Sequence, residues 1–148
     1  MKTVATMCAA VLFAAASASV VAADPPAPHL AIDNVHIRVG DPARARDWYV
    51  KMFGATPGER GAFKTATVPG GEISITKDET TVTTKGRVVD HIGFEVKNLT
   101  QTVKRLEASG IKMDRQPGLG GNGTTKIAFL YDPYGTYIEL TEGLAPKK

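Results

Sequence analysis

Residues 88–113 read VVDHIGFEVKNLTQTVKRLEASGIKM, and residues 32–57 read IDNVHIRVGDPARARDWYVKMFGATP. Placed one above the other, they tell the same story twice. Each opens with apolar residues at every second position: Val35, Ile37 and Val39 in the first, Ile92, Phe94 and Val96 in the second. That is the period of a strand with one buried face. Each then meets a helix-start signal, Asp41-Pro42 or Asn98, because Asp and Asn cap well and Pro suits a first turn. Helical spacing follows in Ala45, Trp48, Tyr49, Met52 and Phe53, and again in Val103, Leu106 and Ile111. Both helices meet a glycine, Gly54 or Gly110. The second strand is read over 88–96, its Val89 being strand-favouring; the alternation from Ile92 to Val96 puts His91 on the face of Gly93 and Glu95, opposite the core side.

Short strands with turn residues between them complete each unit. In the first these are a weak strand near Thr56, then AFKTATV (62–68), then EISITK (72–77) beyond Pro69-Gly70-Gly71. The second has IKMDR (111–115), TKIAFLY (125–131) after a glycine-rich connection, and TYIELTE (136–142) beyond Asp132-Pro133-Tyr134-Gly135. The order strand, helix, three strands is performed twice. A repeat at this spacing means two copies of one supersecondary unit, here βαβββ, over about 31–78 and 87–143. The fold class is α+β.

The first 23 residues have the composition of an export signal: Lys2 as the positive start, an Ala-rich stretch without charge until Asp24, and Val21 and Ala23 placed for cleavage. The stretch is too rich in Ala, Ser and Thr for an anchor, which needs roughly 20 strongly apolar residues. Cys8, the single cysteine, leaves with it, so the mature chain is expected to have neither a cysteine nucleophile nor a thiolate metal site. After a Pro-rich lead-in at 24–30, one domain over 31–143 and a short tail at 144–148 remain. The net charge of +3 is spread without clusters, which argues against nucleic acid and, once the signal is cleaved, against a membrane partner. Periplasmic or secreted location is the expectation.

Three stretches carry a family resemblance: DPARARDWYVKMFG (41–54), DHIGFEVKNL (90–99) and YDPYGTYIEL (131–140), the last being the most specific. The chain resembles the vicinal oxygen chelate superfamily, which includes glyoxalase I, extradiol dioxygenases, fosfomycin resistance proteins and bleomycin-binding proteins, over about residues 30–143. The resemblance implies two modules that curl their strands into a cupped mixed sheet with helices on the convex side. It also implies a divalent metal ion (Fe, Mn, Zn or Ni) in the concavity, and a homodimer. Glu139 matches the family's carboxylate ligand and His91 its second-module histidine, and both are the expected catalytic groups.

Module one departs from that pattern. Aligned on Asp41, the first-strand ligand position falls on Asn34, and His36 lies two residues later on the same face. The position where glyoxalase relatives place a glutamate reads Ser74, with Glu72 displaced by two. Asn is a poor ligand for transition metals, although its carbonyl suits harder ions. The first-strand donor is thus open between Asn34 and His36; the favoured reading takes His36, giving a three-ligand site of His36, His91 and Glu139, two imidazoles and a carboxylate with open positions. Asn34, Arg38, Glu72, Ser74, Lys126 and Tyr137 are the expected substrate-side residues.

The functional expectation is an exported metalloenzyme acting on a small molecule with two adjacent oxygens, in dioxygenase, lyase or isomerase chemistry, with the ion as Lewis acid. The alternative is a non-catalytic small-molecule binder of the bleomycin-resistance type. PGLGGNGTTK (117–126) does not follow a strand and open a helix, so it reads as a lid or hairpin connection and not as a phosphate loop. Trp48 and Tyr49 read as packing residues, and His29 as part of the lead-in.

Overall fold

A computed structural model describes residues 32–79 and 82–144. The expected export signal, the lead-in and residues 145–148 of the tail lie outside the described residues.

The first module runs β1 (Asn34–Val39), α1 (Pro42–Phe53), β2 (Thr56–Arg60), β3 (Phe63–Val68) and β4 (Gly71–Lys77). The second repeats it as β5 (Ile92–Glu95), α2 (Leu99–Ala108), β6 (Met113–Leu119), β7 (Lys126–Tyr131) and β8 (Tyr137–Glu142). Their strands form two four-stranded mixed sheets of matching order, β1-β4-β3-β2 and β5-β8-β7-β6. In each, the first and last strands of the module are parallel neighbours and the rest are antiparallel.

The helices begin where the sequence says they should. The Asp41 carboxylate accepts the N–H of Arg44 at 3.0 Å, and the Asn98 side chain accepts that of Gln101 at 2.9 Å. Each satisfies a backbone donor that the first helical turn leaves without a partner. α1 ends on Gly54 at φ 69°, a left-handed conformation that glycine adopts without steric cost. Each helix lies on the apolar face of its own sheet. Ala45, Tyr49 and Met52 cover Ile37, Ile73 and Ile75 in one module, and Leu99, Val103 and Leu106 cover Leu130, Ile138 and Leu140 in the other.

Among the described residues, four links join the modules, one of them the Tyr134 hydroxyl donating to the Asp41 carbonyl at 3.2 Å. The buried Tyr49 hydroxyl donates to Asp132 at 2.9 Å, Arg105 donates to the Met52 carbonyl at 2.6 Å, and the Phe53 and Phe94 rings lie 5.1 Å apart. Burial, followed by the Asp132 charge, pushes the Tyr49 pKa well above its ordinary value. Asp132 also accepts the N–H groups of Tyr134 and Thr136, each at 2.8 Å. This tight turn explains why the YDPYGTYIEL stretch is so distinctive: Gly135 sits at φ 92°, and Asp132 is both turn former and link.

Two strands depart clearly from expectation. β6 is Met113–Leu119, not 111–115, and so takes in the start of the expected glycine-rich connection. The first strand of the second module is not 88–96 but β5, four residues long. Val88 and Val89 are exposed, and His91 stands just ahead of the strand. The cause is local: Gly86, at φ 75°, turns the chain and its N–H bonds the Asp90 carboxylate, which holds 86–90 as a loop.

Candidate metal and substrate site

With the helices on one face, each sheet leaves its other face open, and the β-ladder register fixes what that face carries. Glu139 pairs with Gly93 on β5 and with Phe129 on β7; Tyr137 pairs with Tyr131, and Thr141 with Glu95 and Ile127. Module two thus presents Tyr137, Glu139 and Thr141 between Gly93 and Glu95 of β5 and a largely aromatic β7. The Phe129 and Tyr137 rings stack at 4.9 Å, and Tyr131 lies 4.9 Å from Tyr137. His91 stands edge-on against Phe129 at 5.7 Å. Its Nε2 lies 3.4 Å from Glu139 Oε2, and its Nδ1 lies 2.8 Å from Asp90 Oδ1. A Cβ at position 93 would stand 3.7 Å from Glu139 Oε2, so any longer side chain there would begin to cover the carboxylate.

Charged partners frame this face. The Lys85 ammonium stands 4.7 Å from the centre of the Tyr137 ring and binds Asp114 at 2.6 Å; the Tyr137 hydroxyl donates to the same carboxylate at 2.8 Å. Those two bonds hold the Asp114 carboxyl below its ordinary range, and Lys85 is pushed upward by its bond to Asp114 and then by the Tyr137 hydroxyl. Burial, then the Asp114 bond, raises Tyr137. Asp90 is held low first by His91, then by the Gly86 N–H. Glu95 accepts from Thr141 at 2.5 Å and from the Gly143 N–H at 2.8 Å. A recess of about 220 Å³ runs from the glycine-rich 120–125 connection to Glu139 and Thr141, with Ile127 in its wall. That connection is a hairpin turn pinned by Asn122, whose side chain accepts the N–H groups of Thr124 and Thr125.

Module one's open face is built on the same register with different chemistry. Asn34, His36 and Arg38 of β1 pair with Glu72, Ser74 and Thr76 of β4. His36 Nε2 meets the Thr76 hydroxyl at 2.7 Å, and its ring lies 5.3 Å from Phe63. This repeats the diagonal of His91 to Glu139, from a histidine to the residue opposite the position two further on, with a hydroxyl where module two has a carboxylate. The same diagonal taken from Asn34 ends on Ser74. Arg60 binds both Glu72 and Ser74 at 3.1 Å, and Ser74 donates to Glu72 at 2.7 Å. Ser74 and then Arg60 draw the Glu72 carboxyl below its ordinary range. Arg38 is paired with Asp78 at 2.9 Å.

The structure therefore brings His91, Glu139 and Tyr137 together on one sheet and places His36, Asn34, Arg38, Glu72 and Ser74 on the other. Among the described residues, no three His, Cys, Asp or Glu side chains converge as a metal cage. Lys126 is not on the substrate side. It alternates with Ile127 and so lies on the helix-covered face, where it binds Glu142 at 2.8 Å. A larger recess of about 470 Å³ lies between α1 and β2, but Arg46, Asp47 and Glu59 in its lining are ion-paired with one another and none of the expected site residues reaches it.

The profile of the Glyoxalase/Bleomycin resistance protein/Dioxygenase superfamily matches residues 29–140. The chain belongs to that superfamily. It is 30% identical over 118 residues to the lactoylglutathione lyase of Escherichia coli O157:H7, covering 72% of this chain and 87% of that one. A probable chloroplastic lactoylglutathione lyase of Arabidopsis thaliana is 42% identical over 52 residues, but that match spans 35% of this chain and 15% of the relative. The crystal structure of lactoylglutathione lyase from Agrobacterium tumefaciens superimposes with a TM-score of 0.61 at 18% identity, covering 79% of this chain and 96% of that one, a likeness of fold.

Glyoxalase-superfamily proteins typically use divalent metals. On module two the donor chemistry fits: an imidazole nitrogen and a carboxylate oxygen face each other at 3.4 Å, too far for a good hydrogen bond, and the imidazole's other nitrogen has an acid partner of the kind metal-bound histidines use. On module one a single imidazole, His36, has the right softness. The sequence reading missed Asp90, Arg60, Lys85, Asp114 and Phe129. Asp90 carried a signal, an acid directly before the flagged histidine. Phe129 carried another, since it lies opposite Glu139 once β7 and β8 are read as a hairpin. Arg60 and Lys85 sit on a weak strand and in a loop, where no period points at a neighbour.

Proposed function

We propose that this protein is an exported metalloenzyme of the glyoxalase superfamily that acts on a small substrate presenting two adjacent oxygens. The observation that carries the reading is the pairing of His91 and Glu139 on the open face of module two, with His91's second nitrogen engaged by Asp90. His91 and Glu139 would hold a divalent ion, which supplies Lewis-acid stabilisation of an enolate- or catecholate-like anion. Phe129 and Ile127 would present the apolar wall of the site, and the aromatic floor under Lys85 would keep water from one side of it. In this reading Glu139 would also move a proton at the substrate once the substrate has displaced bound water.

The third donor in this reading is His36, which lies on the other sheet. A second copy of the chain, turning its module-one face toward this module two, would supply it, with Asn34 bonding water or substrate. The exposed Val88 and Val89 beside His91 support such a homodimer, as apolar side chains that a partner would cover. The lactoylglutathione lyases of the comparisons favour lyase over dioxygenase or isomerase chemistry. Asn34 and Ser74, standing at two of the four expected ligand positions, favour a site of three protein ligands with more room for substrate oxygens.

The test is metal analysis by mass spectrometry of protein purified from an extracytoplasmic fraction without chelators, followed by turnover assays on 2-oxo compounds and catechols. Bound stoichiometric metal, lost in His91→Ala and Glu139→Gln, together with chelator-sensitive turnover is the expected result. A second reading, a metal-free binding protein, draws on the Arg60–Glu72–Ser74 cluster that occupies module one's polar face. Metal-free protein that binds small molecules unaffected by chelator would establish it and defeat the first.

A further inference from the structure

The proposed site leaves one question of chemistry open: which nitrogen of His91 carries the proton. We propose that Asp90 is the positioning residue that decides it, holding the neutral imidazole as the Nδ1–H tautomer so that the Nε2 lone pair is presented beside Glu139. The inference rests on the reading of His91 as a metal ligand and adds what makes it one.

An ionised carboxylate only accepts hydrogen bonds, so the 2.8 Å contact between Asp90 Oδ1 and His91 Nδ1 requires the proton on Nδ1. Nε2 then has a free electron pair. It faces another acceptor, Glu139 Oε2, at 3.4 Å, so the neutral pair has no proton to share and is open to a cation or to donors from solvent. The opposite tautomer would put an N–H toward Glu139 and close the site with an internal hydrogen bond.

Asp90 can impose this because its own position is set from the backbone. Its second oxygen accepts the Gly86 N–H, the Arg87 N–H bonds the Thr84 carbonyl at 2.9 Å, and Thr84 is tied to module two at both ends. Its N–H bonds the Gly135 carbonyl at 3.1 Å, and its hydroxyl accepts the Tyr137 N–H at 2.8 Å. The loop that displaced the expected strand start is therefore a brace for one carboxylate. Module one has the same device in reduced form. Aligned on the helix caps, Asp33 stands where Asp90 does, and it accepts the Asn34 amide N–H at 3.0 Å, which turns that side chain's carbonyl oxygen away from the acid. His36, by contrast, has only the Thr76 hydroxyl, which both donates and accepts and so does not choose a tautomer.

The test uses the full chain, ¹⁵N-labelled and metal-free, at a pH where its imidazoles are neutral. Long-range ¹H–¹⁵N correlation reads the tautomer of each of the three histidines, with His91 assigned by its loss in His91→Ala. The expected result is Nδ1–H at His91 in the wild type, Nε2–H in Asp90→Ala, and recovery of Nδ1–H in Asp90→Asn, which keeps an oxygen acceptor. Zn(II) affinity by chelator competition should fall about 10–100-fold in Asp90→Ala and less in Asp90→Asn, the range for loss of an outer partner of a ligand. Nε2–H at His91 in the wild type would overturn the proposal without recourse to any variant, as would an unchanged tautomer in folded Asp90→Ala. Unchanged Zn(II) affinity in His91→Ala, with Nδ1–H seen in the wild type, would defeat the metal reading while the tautomer assignment stood.

Discussion

The open faces of the two modules share a register and differ in chemistry. On module two a histidine reaches diagonally toward a carboxylate, with an acid behind it and aromatic rings beside it. On module one the same diagonal joins a histidine to a hydroxyl, and the neighbouring carboxylate is already held by Arg60 and Ser74. A repeated scaffold therefore need not mean a repeated site. The helix side must satisfy the same packing in both copies, while each open face answers only to what approaches it.

The sharpest way to break this comparison is to neutralise one carboxylate on each face. Glu139→Gln should lower metal affinity by more than about 100-fold, beyond the 10–100-fold that outer partners are worth. Glu72→Gln should change it only a few-fold, roughly, because Glu72 is committed to Arg60 and Ser74. Chelator-competition titration of the two variants measures both; equal losses would mean that the faces contribute alike.

A second variant probes what holds the halves together. Tyr49→Phe removes a buried hydroxyl and leaves one oxygen of Asp132 without that donor, a loss of about 1–3 kcal/mol. Urea unfolding should show it as a lower midpoint with an unchanged slope, since the chain still unfolds as one body. Smaller and symmetrical effects are expected at the helix caps. Asp41→Ala and Asn98→Ala should each cost about 1 kcal/mol, because both side chains satisfy the same orphan donor. A large difference between them in thermal unfolding would show that the modules are not equivalent even as scaffolds.

The smallest expected effect lies on the acid side. Lys126, then the Leu99 N–H, draws Glu142 below its ordinary value of 4.5, so the folded state binds its proton less readily than the unfolded chain does. Its contribution is therefore fully present above pH 4.5 and is lost as pH falls through the depressed folded value. Glu142→Gln should flatten the fall in stability below that pH and leave the Zn(II) affinity unchanged, since Glu142 lies on the helix-covered face.

The scaffold was legible because its signals are local. Caps at Asp41 and Asn98, alternation along β1 and β8, and the Asp132–Gly135 turn each state their structure within a few residues. The face of Glu139 followed from counting by two from Ile138 and Leu140. The start of β5 was misread because the β-branched Val88 and Val89 favour a strand, whereas the Gly86–Asp90 bond that holds them in a loop is a contact hydropathy does not register. Lys126 was misplaced because a lysine in a strand carries no preference for either face, and only its pairing opposite Glu142 sets it. Arg60, Lys85 and Asp114 were invisible for a related reason: each acts through a partner distant in sequence or on another element.

The most direct measurement for the central claim is a Zn(II) titration of the metal-free full chain beside His91→Ala, His36→Ala and Asn34→Ala. The account expects His91→Ala and His36→Ala to lose comparable affinity, more than about 100-fold, with Asn34→Ala near the wild type. Wild-type affinity in His91→Ala would contradict it outright. Loss in Asn34→Ala with none in His36→Ala would place the first-strand donor at the position equivalent to His91 and remove the displaced site.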